Sequence, residues 1–381
     1  MKILYVIPYD WGGMAHYTIE LANAVAEYED VAVLVSNGIN TDYFSNRVKI
    51  YPIFNKLCSD IDNFKDFISI KNFRSLLSYK NIKIIDDLNP DVIHFTTPIS
   101  FPLPIFLKLS RYDKKYPIVY TNHYIHQDSN FWIEHLGAFQ FFLDQLIKFK
   151  KIVVHTSRDR DLLLKKGYFS PKQLVIIPHG INSIFTRFQN VNKITKLERE
   201  FRYILFFGYI REYKGLRYLI EAASQIKQQG FNVKVIIAGE GDMSSYIHLI
   251  DEVGDSLFEI HNHYISDSDV NDLFLKSEML ILPYSQMTGQ SGVLNVALAY
   301  GKPIVTTNVW GFDEIIKDGI NGFIVPPKNP DALANVICKL LSSDDLLKKM
   351  NSNVIETASD LSLDKIAKKH IEVYKDVDSP R

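Results

Sequence analysis

The feature that most constrains this chain is an alternation that starts twice. Ile3–Ile7 is a continuous apolar run, followed by Gly12-Gly13 and then by Tyr17, Leu21, Ala24, Val25 and Tyr28 at helical spacing. Val31–Val35 is the next apolar run. A strand, a glycine loop, a helix and a second strand open a parallel α/β sheet, whose strands read as unbroken apolar runs because both faces are covered. Val92–Phe95, Ile118–Thr121, Lys151–Thr156 and Leu174–Ile177 continue the series, which breaks at Pro178-His179-Gly180. Thr186–Glu200 is polar without periodicity and reads as a linker. The alternation then restarts with strand Ile204–Phe207, helix Leu216–Ile226 and strand Val233–Ala238. Strand Met279–Leu282, helix Val293–Tyr300 and strand Ile304–Thr306 complete it. The spacing predicts two doubly wound α/β domains, 1–180 and 181–360, and a tail, 361–381. In the tail, Leu363–Val377 puts Ile366, Ala367, His370, Ile371 and Tyr374 on one helical face.

Composition narrows the partners. The net charge of 381 residues is -1, which disfavours a nucleic-acid binder working by bulk charge. Cys58 and Cys338 form no CxxC pair, so neither a disulfide framework nor a zinc module is encoded, and a reducing compartment is expected. No apolar run approaches the length of a membrane span. There is no HExxH, and Asp267-Ser268-Asp269 reads as a helix cap rather than a metal site. Gly137–Lys151 is amphipathic and ends in Lys148, Lys150 and Lys151. It reads as a core helix whose basic end suits the helix dipole, or as a docking face for an anionic membrane.

Three loops of the second half carry the chemistry. Phe206-Phe207-Gly208-Tyr209-Ile210-Arg211-Glu212-Tyr213-Lys214-Gly215 joins a strand to a helix, and Gly208 lets a ligand approach the backbone. Arg211 and Lys214, three apart beside a helix start, suit an anion, Arg as a fork and Lys as a point charge. The plainer reading is a solvated basic turn. Gly239-Glu240-Gly241 follows a strand but lacks GxGxxG spacing; like Gly12-Gly13, it is by itself a tight turn. Thr288-Gly289-Gln290-Ser291-Gly292 precedes the helix that begins at Val293. Two glycines and two hydroxyls there suit a diphosphate on unpaired N–H groups, or Ser291 simply caps the helix. All three loops leave the carboxyl ends of strands, the edge where open α/β sheets bind ligands. In the first half, His123 follows strand Ile118–Thr121 at the corresponding edge, as a ligand contact or a structural hydrogen-bonder. His94, inside a strand, reads as structural.

Taken in order, these segments resemble the retaining family-4 glycosyltransferases (glycosyltransferase group 1) of the GT-B fold, in a QSGV-type branch. The resemblance spans nearly the whole chain. It is most specific in FFGYIREYKGLRYLIEA, VKVIIAGEG, QSGVLNVALAYGKPIVTT and GFDEIIKDGINGFIVPPKNPDAL. It implies two Rossmann-like domains facing a cleft, the acceptor in the first, the nucleotide sugar in the second, and a last helix crossing back to the first. Arg211 and Lys214 match donor-diphosphate positions, and Gly12-Gly13 matches the loop near the diphosphate and acceptor. His123 matches a histidine near the transferred sugar, and Glu314 a motif glutamate. Gly208, Gly239, Gly241, Thr288, Gly289, Gln290, Ser291, Gly292 and Val293 complete the implied donor site. Two departures stand out. The family's pair of glutamates falls on Thr288 and Val296, which removes the usual sugar and ribose contacts. Tyr209 stands where many members have arginine, and Arg211 supplies the charge instead.

The resemblance implies sugar transfer from a nucleoside diphosphate to a hydroxyl acceptor, with His123, Arg211 and Lys214 catalytic and with no metal ion or cofactor. The partners would be a nucleotide sugar and a glycan or lipid-linked acceptor, with contact at the inner face of a membrane, in the cytoplasm. Two rivals are an inactive scaffold of the same fold, motivated by the missing glutamates, and a nucleotide-sugar epimerase. A nicotinamide oxidoreductase is disfavoured by the missing GxGxxG.

Overall fold

The computed structural model describes residues 1–8, 12–55, 78–97, 103–123, 147–188, 200–286 and 290–378. The chain divides into two compact units: Met1–Gly180 with Leu363–Arg381, and Ile181–Ser362. The second unit therefore runs to Ser362 rather than to 360, and the final helix is counted with the first.

The first unit holds a parallel sheet of seven strands in the order β3-β2-β1-β4-β5-β6-β7. These are β1 (Lys2–Ile7), β2 (Asp30–Ser36), β3 (Val48–Phe54), β4 (Val92–Phe95), β5 (Ile118–Thr121), β6 (Lys151–Val154) and β7 (Leu174–Ile176). Ile3 to Ile7 are fully buried, as a central strand covered on both faces requires. The second unit holds six strands in the order β10-β9-β8-β11-β12-β13. They are β8 (Arg202–Phe207), β9 (Val233–Ala238), β10 (Phe258–His261), β11 (Met279–Leu282), β12 (Ile304–Thr307) and β13 (Gly322–Val325). In each sheet the strand order reverses once, between β1 and β4 and between β8 and β11. That reversal opens a crevice at the carboxyl ends of the strands.

Several local expectations change. Gly12 and Gly13 are not a loop but the first turn of the helix Gly12–Val25, where glycine leaves the unpaired N–H groups uncovered. Ser266, not Asp267, caps the helix Asp267–Lys276, its hydroxyl accepting from the Asp269 N–H at 3.3 Å. Residues 137–146 of the amphipathic stretch lie outside the described residues. The remainder is not helical: Ile147 and Phe149 are buried, Lys148 and Lys150 are exposed, and Lys151 opens β6. That two-residue alternation is a strand approach rather than a helix face. Of the linker, 186–188 belong to a short 3-10 turn, and 189–199 lie outside the described residues.

The helix Leu363–Asp378 buries Ile366, Ala367, His370, Ile371 and Tyr374. Its Tyr374 hydroxyl meets the Tyr5 hydroxyl at 2.8 Å and His94 Nδ1 at 2.7 Å. His94 Nε2 reaches the Thr121 hydroxyl at 2.8 Å, so this fully buried imidazole is satisfied within the core. No described helix is long and apolar enough to cross a membrane.

Candidate functional site

In the second unit, the β8 and β9 loops cross in backbone contact. Gly208 N–H donates to the Ala238 carbonyl at 2.9 Å, and Ile210 N–H to the Glu240 carbonyl at 2.8 Å. A Cβ on Gly239, at φ +145°, would stand 2.2 Å from the Gly208 carbonyl oxygen, and one on Gly241 2.4 Å from that of Ile210. Both glycines are therefore demanded by the crossing. Gly208, at φ +103°, leaves a hollow of a different kind: a Cβ there would lie 2.8 Å from Lys214 Nζ and 3.1 Å from Val293 Cγ2. The bare α-carbon of Gly208 is thus roofed by a lysine and by the first turn of the helix Gly292–Ala299.

Lys214 is 7% exposed, and its ammonium has no hydrogen bond or ion pair among the described residues. It lies over the Tyr284 ring, 5.6 Å from the ring centre. Burial lowers its pKa from the usual lysine value; Tyr213 opposes this in part, and the charge of Arg211 adds a still smaller lowering. A buried ammonium without a counter-ion is costly, and an arriving anion removes the cost. Arg211 is exposed at the start of the same turn. The turn is tied to the end of β11 by the Ser285 N–H, which donates to the Tyr213 carbonyl at 2.7 Å.

Ser291 caps the helix Gly292–Ala299, accepting from the Leu294 N–H at 3.4 Å and contacting the Tyr284 hydroxyl at 3.4 Å. Burial pushes the Tyr284 phenol up to about 12, so it is neutral. A Cβ on Gly292 would meet nothing within 4 Å, so the side of the helix start where it would stand is open among the described residues. Lys214, Gly208 and Val293, in the first turn of that helix, meet beside the β8/β11 reversal. Glu314 lies in the first turn of Phe312–Ile315, whose Phe312 ring packs on Tyr284 at 5.5 Å. Gln290 is half-buried at the approach to the helix, whereas Thr288 and Gly289 lie outside the described residues. Val296 is 3% exposed in the core and offers nothing to a ligand.

The first unit's edge is built differently. His123 Nε2 lies 2.9 Å from the Thr96 carbonyl oxygen, and its Nδ1 3.0 Å from His155 Nε2. His155 Nδ1 lies 2.9 Å from the Ile177 carbonyl oxygen, and His179 Nδ1 2.8 Å from that of Gly180. The Tyr17 ring packs edge-on against His123 at 4.9 Å and tilted against His179 at 4.6 Å. Burial dominates the titration of all three imidazoles. It draws His123 down to about 3, helped by His179, and His179 to about 4. His155 falls well below the usual value, with His123 and His179 adding to the effect. Sequence reasoning picked His123 but missed His155. The missed signal is positional: β5, β6 and β7 are each followed within three residues by a histidine, and parallel neighbours carry such residues to one edge.

Among the described residues, no three His, Cys, Asp or Glu side chains gather as a metal site. A basic hollow lined by Lys114, Lys148, Lys150, Tyr116 and Phe149 lies at the opposite edge, before β5 and β6.

A model described as "Glycosyltransferase Family 4" matches residues 11–183, and one described as "Glycosyl transferases group 1" matches 201–343. An uncharacterized glycosyltransferase of Methanocaldococcus jannaschii is 30% identical over 189 residues, 49% of this chain and 48% of that protein. The chain spans about half the length of the first curated relatives it matches. A poly(ribitol-phosphate) alpha-N-acetylglucosaminyltransferase of Staphylococcus aureus is 25% identical, over 83% of this chain and 60% of the relative. The crystal structure of Anabaena HepE in complex with UDP superposes with a TM-score of 0.73 at 17% identity, covering 99% of this chain and 100% of that one. With the two models spanning most of the sequence, and with two parallel sheets matching GT-B structures, the chain belongs to the group 1, family 4 glycosyltransferases.

Proposed function

We propose that this protein is a retaining glycosyltransferase that moves a sugar from a nucleoside diphosphate to a hydroxyl of a growing glycan. One observation carries the reading: a buried Lys214 ammonium, without a hydrogen bond or ion pair among the described residues, lies over the bare α-carbon of Gly208, beside the start of the helix Gly292–Ala299. Such a constellation stabilises the charge that develops on a leaving diphosphate. Arg211, exposed beside it, adds a second cation, and Ser291 and Gly292 supply donors. No metal ion is required in this scheme, because the ammonium and the amides do the neutralising. The leaving phosphate itself takes the acceptor's proton from the same face, so configuration is retained. Glu314 and His123 contact the sugar or acceptor hydroxyls.

Two printed descriptions support the substrate class. A relative is described as a poly(ribitol-phosphate) N-acetylglucosaminyltransferase, and a structure of the same fold holds UDP. An acceptor linked to lipid would bring the protein to a membrane, and the hollow with Lys114, Lys148 and Lys150 suits anionic headgroups.

The test is a thermal-shift panel of nucleoside diphosphates and their sugars, followed by donor hydrolysis and transfer assays on each hit. A ligand at 100 times its Kd should add about 2.7 kcal/mol of stability. No shift with any diphosphate would sink the proposal.

A further inference from the structure

The first unit has an apolar stripe on its outer surface that the chemistry of the carboxyl edges does not use. Leu109 is 77% exposed, the highest value for a large apolar side chain among the described residues, and Ile105 is 38% exposed. Both belong to the helix Leu103–Leu109, which buries Leu103, Pro104 and Leu107. Residues three and four apart share a helix face, so Ile105, Lys108 and Leu109 form one stripe turned to solvent. A single exposed aliphatic is ordinary. Two side by side, next to a cluster of cations, call for a partner.

The cations follow directly in the chain and in space. Arg111 and the short helix Tyr112–Lys115 continue from the stripe. Lys114 and Tyr116 before β5, Lys148, Phe149 and Lys150 before β6, and Phe169 before β7 line a hollow of about 830 Å³. Lys108 joins the stripe to this hollow: its Nζ donates at 2.9 Å to Oδ2 of Asp113, which lines the same wall. Three nearby acids are already neutralised: Asp113 by Lys108, Asp86 by Lys115 at 2.6 Å, and Asp376 by Lys151 at 2.8 Å. The side chains of Arg111, Lys114, Lys148 and Lys150 are exposed, with no hydrogen bond or ion pair among the described residues. These four are a local surplus of positive charge on a chain whose net charge is -1.

A soluble polyanion and an anionic bilayer would both use those cations, and the stripe separates the two. A polyanion gains nothing from Ile105 and Leu109. A bilayer takes aliphatic side chains at the acyl boundary and cations at the level of the headgroups.

We propose that the face formed by Ile105, Lys108 and Leu109, together with the hollow beside it, is a docking surface for a bilayer containing anionic phospholipid. The two aliphatic side chains enter the interface, and phosphate headgroups sit against Lys114, Lys148 and Lys150. The hollow lies where the chain enters β5, β6 and β7, so docking there presents the amino edge of the sheet to the membrane, opposite the edge that bears His123. The inference deepens the membrane contact of the proposed function and rests on that reading only for why the protein would seek a membrane. The surface itself stands on exposure and charge.

The test is flotation of the full-length protein, without donor or acceptor, at physiological ionic strength. One set of vesicles is phosphatidylcholine alone, the other an equimolar mixture with phosphatidylglycerol. Flotation is expected with the anionic vesicles only. Leu109→Ser should weaken it about tenfold, as the loss of one buried leucine side chain implies. The double variant Lys148→Gln, Lys150→Gln should weaken it on the order of 20-fold, at about fivefold for each cation near an anionic surface. All three side chains are exposed, so the variants should keep the Tm of the unmodified protein. Hydrogen exchange on the floated protein should show new protection around Lys108 and Lys150 and none at the carboxyl ends of the strands. No flotation, or equal flotation with neutral vesicles, overturns the proposal. So does binding that neither variant weakens, because the contact then lies elsewhere. Binding that survives Leu109→Ser but is lost in the lysine variant, and lost on adding inorganic polyphosphate, also overturns it and makes the hollow a site for a soluble polyanion. Failed flotation would leave the glycosyltransferase reading standing, and inactivity with every donor would leave the docking surface standing.

Discussion

The two units end their sheets in opposite chemistry. The carboxyl edge of the first is a packed cluster of neutral rings: Tyr17, His123, His155 and His179, with His94, His370 and Tyr374 behind them. The corresponding edge of the second is glycine, backbone and cation: Gly208, Gly239, Gly241, Lys214 and Arg211. Among the described residues, no histidine is buried in the second unit, whereas four are buried in the first: His94, His155, His179 and His370. On the proposed function, the same βαβ scaffold serves two tasks. Fixed hydrogen-bonding rings suit hydroxyls, which need direction. Bare backbone and an uncompensated ammonium suit a diphosphate, which needs charge and close approach.

The largest effect that should separate the two edges is acid. Histidines held below their usual pKa bind fewer protons in the native state than in the unfolded chain once the pH drops under about 6.5. Their neutral burial costs nothing above that value. Stability is then lost as the pH falls toward about 4 for His179 and His370 and about 3 for His123. Each contributes a slope of about 1.4 kcal/mol per pH unit in that window. Hydrogen exchange read by mass spectrometry from pH 7 to 5 should show the first unit losing protection before the second. Loss in the opposite order would break the contrast.

Next in size is Gly239→Ala, which sets a Cβ against the Gly208 carbonyl at a positive φ. It should cost about 3 kcal/mol, read as a drop in the urea midpoint. A neutral result would mean that the loop crossing is not rigid. Lys214→Met follows. It should lower transfer on the order of 10²-fold and abolish the thermal shift with diphosphate. The Tm of the free protein should stay level or rise, because an unpaired buried charge has gone. A fall in Tm with activity retained would make Lys214 structural. The smallest effect belongs to Tyr374→Phe, which removes a hydroxyl bonded to Tyr5 and His94. The expected loss is about 1 kcal/mol per hydrogen bond by calorimetry. No loss would mean that the network behind the first edge is slack.

Legibility in the sequence followed burial. Central strands such as β1, β8 and β11 are covered on both faces and appear as unbroken apolar runs. The three strands that sequence patterning passed over, β3, β10 and β13, are all edge strands. β3 includes Lys49 and Pro52, and β10 includes Glu259 and His261, tolerable because one side of an edge strand is unpaired. The glycine loops of the second unit were legible because glycine and cation spacing is local. Lys214 looked like one half of a solvated basic pair, and only packing made it a buried charge with no ion pair among the described residues.

The sequence by itself determined the two parallel sheets, their central strands, the glycines at the β8/β9 crossing and the helical tail with its buried face. Each of these follows from periodicity or backbone sterics within a few neighbouring residues. Tertiary structure alone decided that His155 faces His123 across 32 positions of sequence and that Tyr374 closes on His94 across 280. It also decided that Lys214 lies over Gly208. Such contacts depend on which strands become neighbours, and on how much water is excluded once they do, so hydrogen-bond partners and proton positions are set only when the chain is packed.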